Sequence, residues 1–96
     1  MSTDAEKTAV RVVVEGRVQG VGFRAWMTKR AGGLGVVGWV RNRSDGAVEA
    51  VVAGSVATVE AMLADCRIGP PAASVSRVSA IVTDWPGESG FVWKTE

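Results

Sequence analysis

The order in which strand-like and helix-like hydrophobic patterns follow one another limits the fold of this 96-residue chain more than any other feature. Val10 to Glu15 alternates in part, with Val10, Val12 and Val14 on one face and Arg11 and Glu15 on the other. Its β-branched residues also favour a half-buried strand. The segment Gly16–Gly22 has three glycines in seven residues and is typical of a loop. The period then changes, because Phe23, Trp26 and Met27 lie at helical spacing. The chain therefore opens with a strand, a glycine-rich loop and a helix.

The rest of the sequence continues this alternation. Gly35 is predicted to cap the first helix, and Ser55 is predicted to cap a second helix that stops before Gly69-Pro70-Pro71. Asp45-Gly46 supplies the positive φ angles of a hairpin turn. The further strands are expected over Val36–Arg41, Ala47–Ala53 and Val75–Asp84, with a short last strand over Gly90–Lys94. This βαββαβ order predicts an α+β, ferredoxin-like sandwich in which two helices cover one face of an antiparallel sheet.

The predicted topology brings two distant segments together. In this fold the first and second strands run in the same direction, with the third strand between them. The loop after strand one and the turn after strand two then lie at the same end of the sheet. We therefore expect Gly16–Arg24 and Asn42 to face a common pocket.

Composition excludes several classes of site. The chain has no histidine, which removes imidazole bases, histidine metal sites and histidine-dependent nucleophiles. Cys66 is the single cysteine, so no intrachain disulfide or cysteine metal cluster is expected, and a reducing compartment fits. The formal charge of +1, from 11 basic and 10 acidic residues, argues against nucleic-acid binding by counterion release.

The first residues carry no recognisable targeting signal. Met1 to Thr8 is polar and of mixed charge, and we expect residues 1–8 to form a flexible tail before a single domain over residues 9–96. No apolar run approaches the length of a membrane span. The sequence therefore predicts a cytoplasmic protein without membrane contacts, and a monomer is the default expectation.

The composition of the glycine-rich loop is typical of an anion-binding site. Its glycines let successive backbone N–H groups of Arg17, Val18, Gln19, Gly20, Val21 and Gly22 turn toward one point, and such a nest binds anions. The helix that follows adds its positive dipole end, and Arg24 in the first turn can fork onto a phosphate. The same composition is equally typical of an ordinary turn before a helix, with Arg24 solvated.

Asn42 is the second candidate residue. Its side chain offers an amide oxygen and an amide N–H₂, which suit it to hold a water and a substrate oxygen at once. Asparagine before Asp-Gly is also a common turn residue with no further role.

Taken together, the two segments resemble the acylphosphatase family. The residues that carry the resemblance are Gly-x-Val-Gln-Gly-Val-x-Phe-Arg at 16–24 and Gly-Trp-Val-Arg-Asn-x-x-Asp-Gly-x-Val-Glu at 38–49, and it continues through Gly69-Pro70-Pro71 to Gly90-Phe91. The resemblance implies a metal-free and cofactor-free hydrolase that splits acyl phosphates into a carboxylate and inorganic phosphate. It implies that Arg24 and the amides of residues 17–22 bind the phosphate, and that Asn42 orients the attacking water. Gly32-Gly33 departs from the better helix formers usual in the family and bears on helix stability only.

The sequence leaves three other interpretations open. RNA-recognition domains share the element order, but they stack bases on aromatic residues in strands one and three, and neither strand has one here. A phosphate-binding protein without turnover would keep the loop and Arg24. The chain could also correspond to an acylphosphatase-like part of a larger carbamoyl-transfer protein.

Overall fold

A computed structural model describes residues 6–96 of the chain. The elements are β1 (Lys7–Arg17), α1 (Phe23–Leu34), β2 (Val37–Asn42), β3 (Val48–Ser55), α2 (Val56–Ile68), β4 (Ser74–Val82) and β5 (Phe91–Trp93). Most of the predicted N-terminal tail, residues 1–5, lies outside the described residues. Lys7 and Thr8, which the sequence assigned to that tail, pair with Ser55 and Gly54 and so belong to β1.

The sheet has the strand order β4-β1-β3-β2-β5, and its first four strands are antiparallel neighbours. Because β3 pairs antiparallel with both β1 and β2, those two strands run in the same direction on either side of it. This is the ferredoxin-like arrangement that the sequence predicts. Both predicted caps are confirmed, since Gly35 has a φ of 73° with its N–H bonded to Ala31 O, and Ser55 Oγ accepts from the Thr58 N–H.

Both helices bury their apolar stripes against one face of the sheet. Phe23, Met27 and Ala31 of α1 and Val59, Met62 and Cys66 of α2 are buried in a single core. The sheet contributes its even-numbered residues, such as the row formed by Val12, Ala50 and Val40. Within residues 6–96 neither helix is long and apolar enough to cross a membrane.

β5 makes the sheet mixed rather than purely antiparallel. It pairs parallel with β2, next to which the antiparallel order would have left an open edge. A hydrogen bond flanks the paired residues at each end. Gly38 N–H donates to Gly90 O, and Lys94 N–H donates to Val40 O, each at 2.9 Å. Since β4 ends at the opposite edge, the chain must cross the sheet to reach this position.

Among residues 6–96, one carboxylate is buried on the sheet face away from the helices. Glu49 on β3 is 5% exposed and accepts from Arg11 of β1 at 2.8 Å and from Arg41 Nε of β2 at 2.7 Å. Burial by itself would raise the pKa of Glu49, but the hydrogen bonds and charges of the two arginines outweigh it, and the pKa is lowered. Glu49 thus joins the three central strands on the side that the helices leave open.

Glu49→Gln keeps the side-chain shape but removes the charge that Arg11 and Arg41 share. We expect the free energy of unfolding at pH 7 to fall by about 1–3 kcal/mol, because hydrogen bonds to a charged group are lost. The folded-state pKa lies below the ordinary value of 4.5. The contribution of Glu49 is therefore complete above that ordinary value and disappears as the pH falls through the lower folded-state pKa. Urea unfolding at pH 7 and pH 3 should show a smaller difference between the two proteins at pH 3.

Glu15→Gln is the matched control. Glu15 lies 3.9 Å from Arg77 in an exposed ion pair on the surface of the sheet. Such pairs contribute little, so this variant should unfold like the parent protein at either pH. A Glu49→Gln loss of the same size at pH 7 and pH 3 would contradict the electrostatic explanation.

Candidate active site

The two segments singled out in the sequence meet at one end of the sheet. A cavity of about 90 Å³ lies there, lined by Val18, Gly20, Gly22, Phe23, Arg24, Ala25, Asn42 and Trp93. β1 and β2 both end at this edge because each is antiparallel to β3. Asn42 follows Val40 by two positions, so it lies on the helix-covered face of the sheet and toward the start of α1.

The loop between β1 and α1 depends on glycine at two points. Gly20 has a φ of 72° and Gly22 a φ of 80°, and both lie in the left-handed region that other residues rarely adopt. A Cβ atom at either position would meet no atom within 4 Å, so the backbone angle and not space requires glycine. Val18 on one side and Phe23 on the other are almost fully buried. The loop is therefore anchored in the core at both ends.

The start of α1 is open to a ligand. Gly22 is the N-cap residue, and no side chain within the described part of the chain caps the helix there. Helix N-termini present free N–H groups and a partial positive charge, which favour an anion. Arg24 and Asn42 border the same cavity, so a cationic fork and a neutral amide are combined with this helix end.

Gln19 contacts the β2–β3 hairpin and not the cavity. Its Nε2 donates to Arg43 O at 2.7 Å and to Ala47 O at 2.9 Å, and it does not line the cavity. Both acceptors belong to the hairpin between β2 and β3. Gln19 therefore ties the loop to the hairpin that carries Asn42. Of the other predicted loop residues, Arg17 is exposed at the end of β1, and Val21 packs against the core.

The hairpin turn lies where the sequence predicts it, but only Gly46 of the Asp45-Gly46 pair has a positive φ, of 93°. The turn is held by its own polar groups. Asp45 accepts from the Ala47 N–H at 3.1 Å and from Arg43 at 2.7 Å. The first of these bonds, aided by the second, lowers the pKa of Asp45, and the bond to Asp45 raises the pKa of Arg43. The charge of Arg43 is thus engaged at the turn, and that of Arg41 by Glu49 on the opposite face.

Sequence reasoning missed Trp93. No role was assigned to it from the sequence, whereas the structure places it in the cavity wall with the Arg24 guanidinium carbon 4.5 Å from its ring centroid. The only available signal was the short last strand. Trp93 pairs with Val40 in the parallel register of β5, which puts it on the same face as the core.

Other reactive groups lie elsewhere. Cys66 is fully buried in α2, where burial raises the pKa of its thiol to about 12. A larger groove of about 490 Å³ between the helices contains none of the predicted site residues; it is lined by Trp26, Lys29, Arg30, Gly33, Leu34 and Asp65. Over residues 6–96, no three cysteine or carboxylate side chains gather as metal ligands would.

Comparison with known proteins gives a consistent picture. Residues 10–93 match the family model described as Acylphosphatase. The chain is 51% identical over 84 residues to a protein named Acylphosphatase from Acidiphilium cryptum, covering 88% of this chain and 92% of the relative.

Solved structures agree with these matches. An acylphosphatase from Coxiella burnetii superimposes with a TM-score of 0.89 at 36% identity, covering 94% of this chain and 95% of that one. HypF from T. kodakarensis is similar with a TM-score of 0.81 at 30% identity, but 94% of this chain corresponds to only 12% of HypF.

Gln19→Glu tests the tie between loop and hairpin. The substituted carboxylate has the same length but cannot donate to Arg43 O and Ala47 O, and its charge faces two carbonyl oxygens. We expect the free energy of unfolding to fall by about 1–3 kcal/mol for the two lost bonds. We also expect weaker binding of inorganic phosphate, because the loop is no longer held beside Asn42. Urea unfolding and calorimetric titration measure both effects. Arg17→Gln, an exposed change next to the same loop, is the control for stability and should alter the free energy of unfolding little. An equal loss of stability in both variants would contradict the tie.

Proposed function

The chain belongs to the acylphosphatase family and is a hydrolase of acyl phosphates, and from that premise we propose how its residues divide the work. The loop amides of residues 17–22 and the Arg24 guanidinium bind the phosphoryl group. Asn42 holds the attacking water, and neither a metal nor a cofactor takes part. The observation that carries the proposal is that Arg24, Asn42 and the uncapped start of α1 border one small cavity.

Phosphate binding is supported by the chemistry of the loop and of Arg24. The phosphoryl group spreads its charge over three non-bridging oxygens, and catalysis of its transfer consists mainly of positioning and charge stabilisation. Free N–H groups at a helix start and a planar guanidinium are suited to those oxygens. Among residues 6–96, no carboxylate forms an ion pair with Arg24, so its charge is available to a substrate.

The role of Asn42 is supported by where β2 ends. The side chain borders the cavity from the sheet, whereas Arg24 and the helix start border it from α1. An amide there can accept a hydrogen bond from a water and donate one to a phosphoryl oxygen. A water held in this way attacks the phosphorus in line with the scissile P–O bond.

The reaction does not require a strong acid or base from the protein. The leaving group is a carboxylate, whose ordinary pKa is about 4, so it departs without prior protonation. The attacking water loses its proton to a phosphoryl oxygen of the substrate. This route agrees with a chain that has no histidine and whose single cysteine is buried away from the cavity.

Arg24→Ala and Asn42→Ala should each lose at least about a hundredfold in turnover while staying folded, the size expected when one preorganised donor is removed. Arg24→Lys should also be poor, because an ammonium group lacks the planar fork. Loss of benzoyl phosphate absorbance measures the rates, with excess chelator present throughout. The parent protein should be insensitive to the chelator.

Arg30→Ala is the matched control, since Arg30 lies on the same helix but outside the cavity. Near-normal turnover in Asn42→Ala would rule out the water-holding role. A parent protein that is inert yet binds inorganic phosphate would instead be a phosphate-binding protein.

A further inference from the structure

Arg24, Trp93 and Thr28 are joined in a closed ring of contacts, called here the Arg24 circuit. The Arg24 guanidinium carbon lies 4.5 Å from the centroid of the Trp93 ring. The Trp93 indole N–H donates to Thr28 Oγ1 at 2.9 Å, and the Thr28 hydroxyl donates to the backbone O of Arg24 at 2.8 Å. Both the side chain and the main chain of Arg24 are therefore linked to one indole ring.

From this circuit we propose that Trp93 is a positioning residue that holds the Arg24 guanidinium toward the phosphoryl group. The proposal rests on the function proposed above. It assigns to a residue of the last strand a role in setting the geometry of the anion site, although the indole itself need not touch the reacting atoms.

An aromatic partner differs from a carboxylate in what it leaves free. A carboxylate would accept hydrogen bonds from the guanidinium fork and neutralise its charge, and so would compete with a phosphate. The face of an indole attracts the cation through its quadrupole and carries no net negative charge. Arg24 can thus be held in place and still offer its charge and its N–H donors to an anion.

The Trp93 ring can hold Arg24 because the main chain of Trp93 and its indole nitrogen are both fixed. Residues 91–93 pair in parallel with β2, and hydrogen bonds flank the pairing at Gly38 and Lys94. Phe91, at the start of β5, packs against the core. Thr28 fixes the indole from the side of α1. An exposed tryptophan on a free chain end would have none of these restraints.

The test compares Trp93→Leu, Trp93→Phe and Thr28→Val with the parent protein. The leucine variant loses ring and N–H, the phenylalanine variant keeps a ring, and the valine variant keeps the indole but removes its tether. Trp85→Leu is the matched control, because Trp85 is about as exposed as Trp93 (50% against 51%) but does not line the cavity. Circular dichroism checks that each variant is folded.

Three measurements report on Arg24 and not on stability alone. They are the dissociation constant of inorganic phosphate by calorimetry, kcat and KM for acetyl phosphate, and the Nε–Hε resonance of Arg24 by NMR. Acetyl phosphate is chosen because its small acyl group reduces any direct contact with the ring. In the parent protein the indole should shift the Arg24 resonance upfield.

In Trp93→Leu we expect the phosphate dissociation constant to rise about tenfold and kcat/KM to fall by at least the same factor, consistent with loss of one partly desolvated cation–π contact. The Arg24 Nε–Hε chemical shift should move toward the value of an arginine in an unfolded chain. Trp93→Phe keeps a ring but loses the N–H tether, so it should recover part of the affinity. Thr28→Val keeps the indole and loses only the tether, so its affinity should lie between those of Trp93→Phe and the parent, and Trp85→Leu should match the parent.

Two results would overturn the proposal. The first is a folded Trp93→Leu protein with parent-like phosphate affinity and an unmoved Arg24 resonance. The second is a Trp93→Phe protein as impaired as Trp93→Leu. If Arg24→Ala is impaired but Trp93→Leu is not, the positioning role alone fails. If Arg24→Ala itself binds and hydrolyses normally, the function proposed for Arg24 fails and the role of Trp93 fails with it.

Discussion

The antiparallel pairing of β3 with both β1 and β2 is the constraint on which the rest of this structure depends. It makes β1 and β2 run in the same direction on either side of β3. The loop after β1 and the end of β2 therefore reach the same end of the sheet. β3 can occupy this central position because Val48 to Gly54 is buried along its whole length. Without that pairing, Arg24 and Asn42 would border no common cavity.

The charges near the site are divided between structural and free ones. Arg11 and Arg41 hold Glu49 on the open face of the sheet, and Arg43 holds Asp45 at the hairpin turn. These pairs fix the strands and the turn that carry Asn42. Arg24 instead contacts the ring of Trp93, which does not cancel its charge. Among residues 6–96 Arg24 thus has no carboxylate partner, as the proposed anion site requires.

Much of the fold could be predicted because its signals are local. The start of α1 at Phe23, its cap at Gly35, the cap of α2 at Ser55 and the Asp-Gly turn are each specified within a few residues. The partners of Gln19 could not be predicted. Its two acceptors are backbone oxygens far along the chain, and any residue type at those positions would have supplied them.

The sequence by itself determined the element order, the ferredoxin-like class and the two segments that line the cavity, since periodicity, glycine positions and turn chemistry act over short stretches. Only the tertiary structure decided that β5 adds to the edge of β2 in parallel, and therefore that Trp93 contacts Arg24 and bonds to Thr28. The physical reason is that a three-residue strand has too little pattern to specify its partner. Its place is fixed by the edge of β2 that would otherwise be unpaired.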